Sequence, residues 1–314
     1  MNWVPQVALQ SWPDHLAAFV QDYRELNVKM LVSKILKSLL FWPLLSSSLA
    51  SGLNITQQQA INRNRTISVG YVIFDGFEGL DVWGPLEWIT QMSVFFPMNL
   101  STISYKTGPV HARYATHLGA SYDQVVGGSM LATHTFSNAP DLDIIIVPGG
   151  TGVLNATLGN STIIEDFLNA RFDCAEYLLG VSFGVTHLAR SGLLNGKKAT
   201  TNKSGWTWIT PYGKDVNWVT QARWVADGKI WTSSGMASSI DMMYEFLGQF
   251  YGKEGALNYM TNVIEYAPHT NPNWDPYGPV HNVPGANATS PTLDCVGPVP
   301  LPVRNSSASS SNQR

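Results

Sequence analysis

Between residues 66 and 266 the chain alternates unbroken apolar runs with stretches of helical periodicity. "TISVGYVIF" (Thr66–Phe74) is a β-branched run closed by Asp75-Gly76, a strand followed by a turn. "LDVWGPLEWITQMSVF" (Leu80–Phe95) repeats its apolar residues at helical spacing. "STISYKTG" (Ser101–Gly108) reads as a second strand, and "DLDIIIVPGG" (Asp141–Gly150) as a strand ending in Pro-Gly-Gly. "STIIEDFLNARF" is the next helix, "AEYLLGV" the next strand and "FGVTHLARSGLL" the helix after it. "GKIWTSSG" is another strand, followed by two helices, "MASSIDMMYEFLGQFYG" and "KEGALNYMTNVIEY". Apolar runs without alternation belong to strands covered on both faces, as in a parallel sheet between helices. The pattern predicts one doubly wound α/β domain over residues 66–270, mostly parallel, with helices on both faces.

The flanks have a different texture. Residues 1–29 carry no repeat or motif and read as an extension outside the fold, or Met30 as the start. From Met30, "MLVSKILKSLLFWPLLSSSLA" has Lys34 and Lys37 before a short apolar core, Leu39–Leu45, and a small-x-small site at Ser48-Leu49-Ala50. This is the form of a secretory signal over residues 30–50, too short to span a bilayer stably. Residues 51–65, with "ITQQQAINRNR", are polar and read as a linker. Residues 271–314 are rich in Asn, Pro, Gly and Ser and read as an irregular, solvated tail.

Composition narrows the partners. The 314 residues are 44% hydrophobic and 13% charged, with a net charge of −3 and no basic stripe. No electrostatic footprint for nucleic acid is present. Eight N-x-S/T sequons start at Asn54, Asn64, Asn99, Asn155, Asn160, Asn202, Asn287 and Asn305, against about three expected by chance. With the signal they predict a secreted glycoprotein. The two cysteines, Cys174 and Cys295, could pair in that compartment or stay as free buried thiols. No His/Cys grouping has metal-ligand spacing, and no glycine-rich nucleotide loop appears, so no metal or cofactor is expected.

Chemistry in such a sheet gathers at the carboxyl ends of the strands. Three ends stand out: the turn leading to Asp81, the turn at Gly149-Gly150, and Ser182. The last lies in Gly180-Val181-Ser182-Phe183-Gly184, the G-x-S-x-G form of a strand-to-helix nucleophile elbow. A serine hydroxyl needs a base within hydrogen-bond reach. His187 lies in the helix after the elbow and projects away from its mouth. Cys174 enters the strand that Ser182 leaves, about 20 Å away at ~3.3 Å per residue. Asp81 could serve if burial raises its pKa; its ordinary role would be an acid at a helix N-terminus. Trp83, Phe183, Trp206 and Trp208 are candidates for an aromatic wall, although core packing is the commoner use of each tryptophan.

Four blocks, "GYVIFDGFEGLDVWGPLEWI", "DIIIVPGG", "LLGVSFGVTHLARSGLLNGKKATT" and "DGKIWTSSGMASSIDMMYEFLGQFYG" with its trailing "IEY", resemble in order and spacing the ThiJ/PfpI family, which shares the class I glutamine amidotransferase fold. The isonitrile-hydratase-like branch is the most similar. The resemblance covers about 200 residues. It implies that Ser182 stands where the family has its cysteine nucleophile, and Asn202, in Ala199-Thr200-Thr201-Asn202, where many members have a histidine. Asp81 matches the aspartate that faces the thiol and handles protons in the hydratase branch. Gly149-Gly150 and the N–H of Phe183 match the groups of an oxyanion pocket. A large ring at Phe183, where the family has a small hydroxyl, should reshape that pocket. A homodimer is the implied assembly.

Three readings follow. The first is a hydratase, lyase or cyclase acting on a small organic molecule, with Asp81 moving protons, as in tailoring a secondary metabolite. The second is a non-catalytic small-molecule binder that keeps the old pocket. The third is a serine hydrolase, for which Ser182, Asp241 and His269 or His281 supply the chain order, but which lacks the HGGG-type loop.

Overall fold

The computed structural model describes residues 55–112 and 126–287. The signal-like segment, residues 1–29, Asn54, Cys295 and Asn305 lie outside them. The central sheet is built from β1 (Ile67–Val72), β2 (Met98–Ser104), β5 (His134–Thr135), β6 (Ile144–Val147), β7 (Tyr177–Val181), β10 (Trp224–Asp227) and β11 (Ile230–Ser233). Its order is β10-β11-β7-β6-β1-β2-β5, parallel throughout except for the β10–β11 hairpin. Two small pairs lie outside it: β3 (Gly108–His111) with β4 (Ser129–Ala132), and β8 (Lys198–Ala199) with β9 (Asn217–Trp218).

The helices are α1 (Gln57–Asn64), α2 (Gly79–Met92), α3 (Gly152–Leu158), α4 (Ile163–Arg171), α5 (Val185–Arg190), α6 (Trp206–Ile209), α7 (Ser238–Tyr251), α8 (Ala256–Ile264) and α9 (Tyr277–Val280). α2 and α7 pack together over one face of the sheet, where Ile67, Val69, Ile144 and Ile146 meet Ile89, Met243 and Phe246. α5 lies on the other face, with Val185 and Leu188 against Gly180. The strands of the middle are therefore buried on both sides, which is why β6 is uniformly apolar.

From β1 the chain builds outward through β2 and β5. It then returns to the other side of β1 with β6. The carboxyl ends of β1 and β6 diverge into helices there, and the crevice they leave is the switch point of the fold. At the opposite end of the strands, Arg65 bridges Asp143 (3.1 Å) and Glu176 (2.6 Å), and Asp143 accepts from Ser68 N at 2.7 Å. One guanidinium thus ties together the entries of β1, β6 and β7.

The folded unit is wider than residues 66–270. The expected linker contains α1, started by a capping box between Thr56 and Gln59. Its polar residues have a specific use. A helix leaves its last carbonyls unpaired, and α7 ends with α1 beside it. Asn62 donates to Phe250 O at 2.9 Å, Arg63 Nε to Tyr251 O at 2.7 Å, and Gln59 Nε2 to Gln249 O at 3.0 Å. Over residues 271–287 the expected solvated tail is likewise packed on the domain, with Asp275 buried and Pro272 O accepting from Arg223 N at 2.6 Å.

Asn62→Ala removes the partner of a buried carbonyl. It should lower stability by about 1–3 kcal/mol, read as a lower urea midpoint at unchanged slope. An unchanged midpoint would show that α1 does not support α7.

Candidate functional site

The elbow is a strained serine between two steric glycines. Val181 is extended, Ser182 has φ +54°, and residues 182–184 turn in 3-10 form into α5. A non-glycine residue in the left-handed region costs roughly 1–2 kcal/mol. The conformation is held because Thr201 Oγ1 donates to Ser182 O at 2.8 Å and because Gly184 passes tightly under the β6 end. A Cβ on Gly184 would stand 2.4 Å from Val147 O. The second glycine of the motif is therefore required by packing alone. Phe183, the second residue of the turn, finds no carbonyl for its N–H among the described residues.

Asp81 arrives from α2. Pro85 stands four residues later and has no N–H for the Asp81 carbonyl. The Tyr71 hydroxyl of β1 fills that place, donating to Asp81 O at 2.6 Å. The side chain is wholly buried. Its Oδ2 accepts from Gly149 N at 2.8 Å, and its Oδ1 has no partner among the described residues. Burial pushes the carboxyl up to about 8; the Gly149 N–H opposes this and the Glu78 charge adds to it. The N-terminal position in α2 favours the anion, but by only about 0.3–1 kcal/mol, too little against desolvation. Gly149 is wedged at the junction. A Cβ there would be 2.6 Å from Phe183 N and 2.7 Å from Asp81 Oδ2, so the carboxyl and the elbow N–H face one small volume. The N–H of Gly149 is spent on Asp81.

Asn202 meets Ser182. Its Nδ2 donates to Ser182 Oγ at 3.0 Å, and its Oδ1 accepts from Ser204 N (2.9 Å) and Ser204 Oγ (2.6 Å). Among the described residues no histidine ring is bonded to that hydroxyl. His187 is buried on Glu165 (2.9 Å) with its ring edge to Phe74. Asp241 spends its oxygens on Arg223 Nε (2.5 Å), Tyr266 OH (2.6 Å) and His269 N (3.0 Å), while the His269 ring stacks on Trp274 at 4.2 Å. A Ser182–Asp241–His269 triad is not assembled. The aromatic wall also changes. Trp83 is 41% exposed, packs on Phe77 and lies outside the cleft lining. Trp206 is buried beneath Lys203. Phe183 rests on Gly205 and edge-on to Trp208.

The register brings a second region to the elbow. Ser233 pairs with Val181, so the next residues, Ser234 and Ser182, sit side by side past the strand ends. Beside them opens a cleft of about 440 Å³. Leu80 and Asn202 form its near wall; Arg223, Trp274, Tyr277 and His281 are among its other residues. Lys203, also in the lining, is buried and neutralised by Asp275 at 3.3 Å. Burial lowers its pKa, with the Asp275 carboxylate working against that shift. The sequence reading missed this cleft because it depends on residues of the supposed tail. A signal was present: "NWDPYG" (Asn273–Gly278) is too aromatic for a solvated segment. Among the described residues no group of three or more His, Cys, Asp or Glu is placed to hold a metal, and no helix is long and apolar enough to cross a membrane. Cys174 is exposed; its expected partner lies outside the described residues.

Residues 68–249 match the profile of the DJ-1/PfpI family. The chain is 26% identical over 202 residues to the isonitrile hydratase of Pseudomonas putida, covering 64% of this chain and 79% of that protein. It is 26% identical over 112 residues to protein dj-1beta of Drosophila melanogaster, covering 36% of this chain and 58% of that protein. A ThiJ/PfpI family protein from Pseudomonas syringae superposes with a TM-score of 0.53 at 22% identity, covering 71% of this chain and 85% of that one.

The raised Asp81 pKa fixes a stability profile. Between the unfolded carboxyl value of about 4 and about 8, the native state binds the extra proton. The stabilisation is therefore full below the lower value and is lost as pH rises through the upper one. Asp81→Asn should gain stability relative to the parent by up to about 1.4 kcal/mol per pH unit across that window, measured by urea unfolding at several pH values. A difference independent of pH would mean Asp81 is ionised throughout.

Proposed function

Since the chain belongs to the DJ-1/PfpI family, we propose that it is an acid–base enzyme of hydratase, lyase or cyclase type acting on a small organic molecule, with Asp81 as the group that gives and takes the proton. The observation that carries this reading is the buried Asp81 carboxyl, held at one oxygen by Gly149 and unpartnered at the other. A carboxylic acid still protonated near neutral pH can protonate an unsaturated carbon and then, as the anion, accept a proton from attacking water. The similarity to an isonitrile hydratase supports water addition as the first reaction to test. Ser182, which on this reading stands where the family has cysteine, acts as a hydrogen-bonding group oriented by Asn202. The N–H groups of Phe183 and Gly150 face developing negative charge.

A non-catalytic binder is the second reading. It is favoured by the side chain that meets the Ser182 hydroxyl: an amide, which is not a base. Secretion and a homodimer belong to the proposal as well. The secretory reading is supported by exposure of Asn64, Asn99, Asn155, Asn160 and Asn287, whereas Asn202 turns its Nδ2 into the site.

Small alkyl and aryl isonitriles, nitriles and α,β-unsaturated acids, incubated with the protein in heavy-oxygen water, test the chemistry. One class should take up the label, and Asp81→Asn should slow it by about 10²–10⁴-fold, with Ser182→Ala losing less. Unchanged turnover in Asp81→Asn overturns the role of Asp81; binding without turnover by the parent favours the second reading. Glycopeptide mapping of protein secreted by a eukaryotic host should find glycans among the five exposed sequons and none at Asn202. A glycan on Asn202 would place that side chain outside the pocket.

A further inference from the structure

Arg223 is the unusual group in the cleft. Its side chain is 7% exposed, yet only one of its three nitrogens is bonded to the protein: Nε donates to Asp241. Among the described residues neither terminal nitrogen has a hydrogen-bond partner, and the residue lines the cleft. The head group is nevertheless fixed. Asp241 grips one edge, the Trp274 ring lies 5.0 Å from the guanidinium carbon, and the Arg223 backbone is bonded at both N and O, to Pro272 O and Ser234 N. Asp241 is in turn held by Tyr266 OH and His269 N. The geometry is that of a clamped fork with its two prongs free.

Solvent in the open cleft accepts from these donors, so a ligand that displaces it must accept in its place or leave them unmet. Lys203, the neighbouring cation, is not in this position. Its ammonium reaches Thr200 Oγ1 (2.7 Å), Ala222 O (3.1 Å) and Thr201 O (3.3 Å) as well as Asp275. Of the two cationic side chains, Arg223 is the one left to serve a ligand. The planar pair of N–H donors at the end of a guanidinium matches the two oxygens of a carboxylate. The remaining surface of the cleft suits an apolar body, since Leu80, Met236 and Tyr277 expose large side chains and all line it.

We propose that Arg223 is the recognition residue for a carboxylate on the ligand of this site, so that the substrate class is a small carboxylic acid with an apolar body. The carboxylate takes the two terminal nitrogens of Arg223. The apolar body lies along Leu80, Met236 and Tyr277, and the reacting end reaches the elbow past Asn202, which belongs both to the cleft and to the Ser182 hydroxyl. This rests on the reading of Asp81 and Ser182 as the reacting end, but it is tested by binding rather than turnover. The segment 266–287 then acts as a specificity wall, because Asp241 joins its start to the guanidinium.

The probes are 3-phenylpropionate and its amide, titrated into the full chain at pH 7 by calorimetry and followed through the Arg223 guanidinium signals in nitrogen-15 NMR. The acid should bind about tenfold or more tightly than the amide and shift those signals, and the amide should not. Arg223→Lys, which keeps a cation for Asp241 but loses the fork, should erase most of the preference. If that variant does not fold, the guanidinium shifts in the parent decide the matter. Equal binding of acid and amide, binding of neither up to roughly 10 mM, tighter binding of the matching phosphonate, or a preference retained in Arg223→Lys would each overturn the proposal. Acid binding that survives in Asp81→Asn, with no turnover of any substrate by the parent, would sink the enzymatic reading and leave this one standing.

Discussion

The hydrogen bond from Gly149 N to Asp81 Oδ2, 2.8 Å long, is the joint on which the site depends. It crosses the switch point, linking the helix after β1 to the turn after β6. Only glycine fits at that joint, because the elbow N–H and the carboxyl crowd the place a side chain would take. The bond opposes, without cancelling, the burial that raises the Asp81 pKa. One backbone donor offsets part of the desolvation of a fully buried carboxyl, but the second oxygen is left with nothing. An ion that keeps one partner where water would offer several is poorly solvated. The acid form follows from that count.

The same end of the sheet shows how a helix breaker can be put to structural use. Pro85 takes a donor away from the Asp81 carbonyl, and Tyr71 supplies one from the adjacent strand. Asp81 is thereby fixed through its backbone by β1 and through its side chain by Gly149. Its position does not depend on the rest of α2 being regular. Ser182 is held in a comparable way, with Thr201 on its carbonyl and Asn202 on its hydroxyl.

The parallel core was legible in the sequence because burial on both faces leaves an apolar run with no alternation, as in β6 and β7. The strand ends that bear Asp81, Gly149 and Ser182 followed from those runs and from glycine punctuation. Polar chain that earns its place through hydrogen bonds was not legible. The side chains of Gln59, Asn62 and Arg63 look like linker until the unpaired carbonyls of α7 are seen beside them. Asp241 sits in an apolar helical stretch without revealing that its partner is Arg223, on another element. Trp83 shows the converse: an aromatic two residues from a key acid lies on the other side of α2's first turn and covers Phe77 instead.

The Asp241 contacts carry a consequence for the order in which the protein is made. The groups bonded directly to Ser182 and Asp81, with Ser204 behind Asn202, all leave the ribosome before α7. Arg223 is clamped only when Asp241, Tyr266 and Trp274 have followed. During vectorial synthesis, in which earlier segments are free to fold first, the residues around Ser182 and Asp81 are available before those that clamp Arg223.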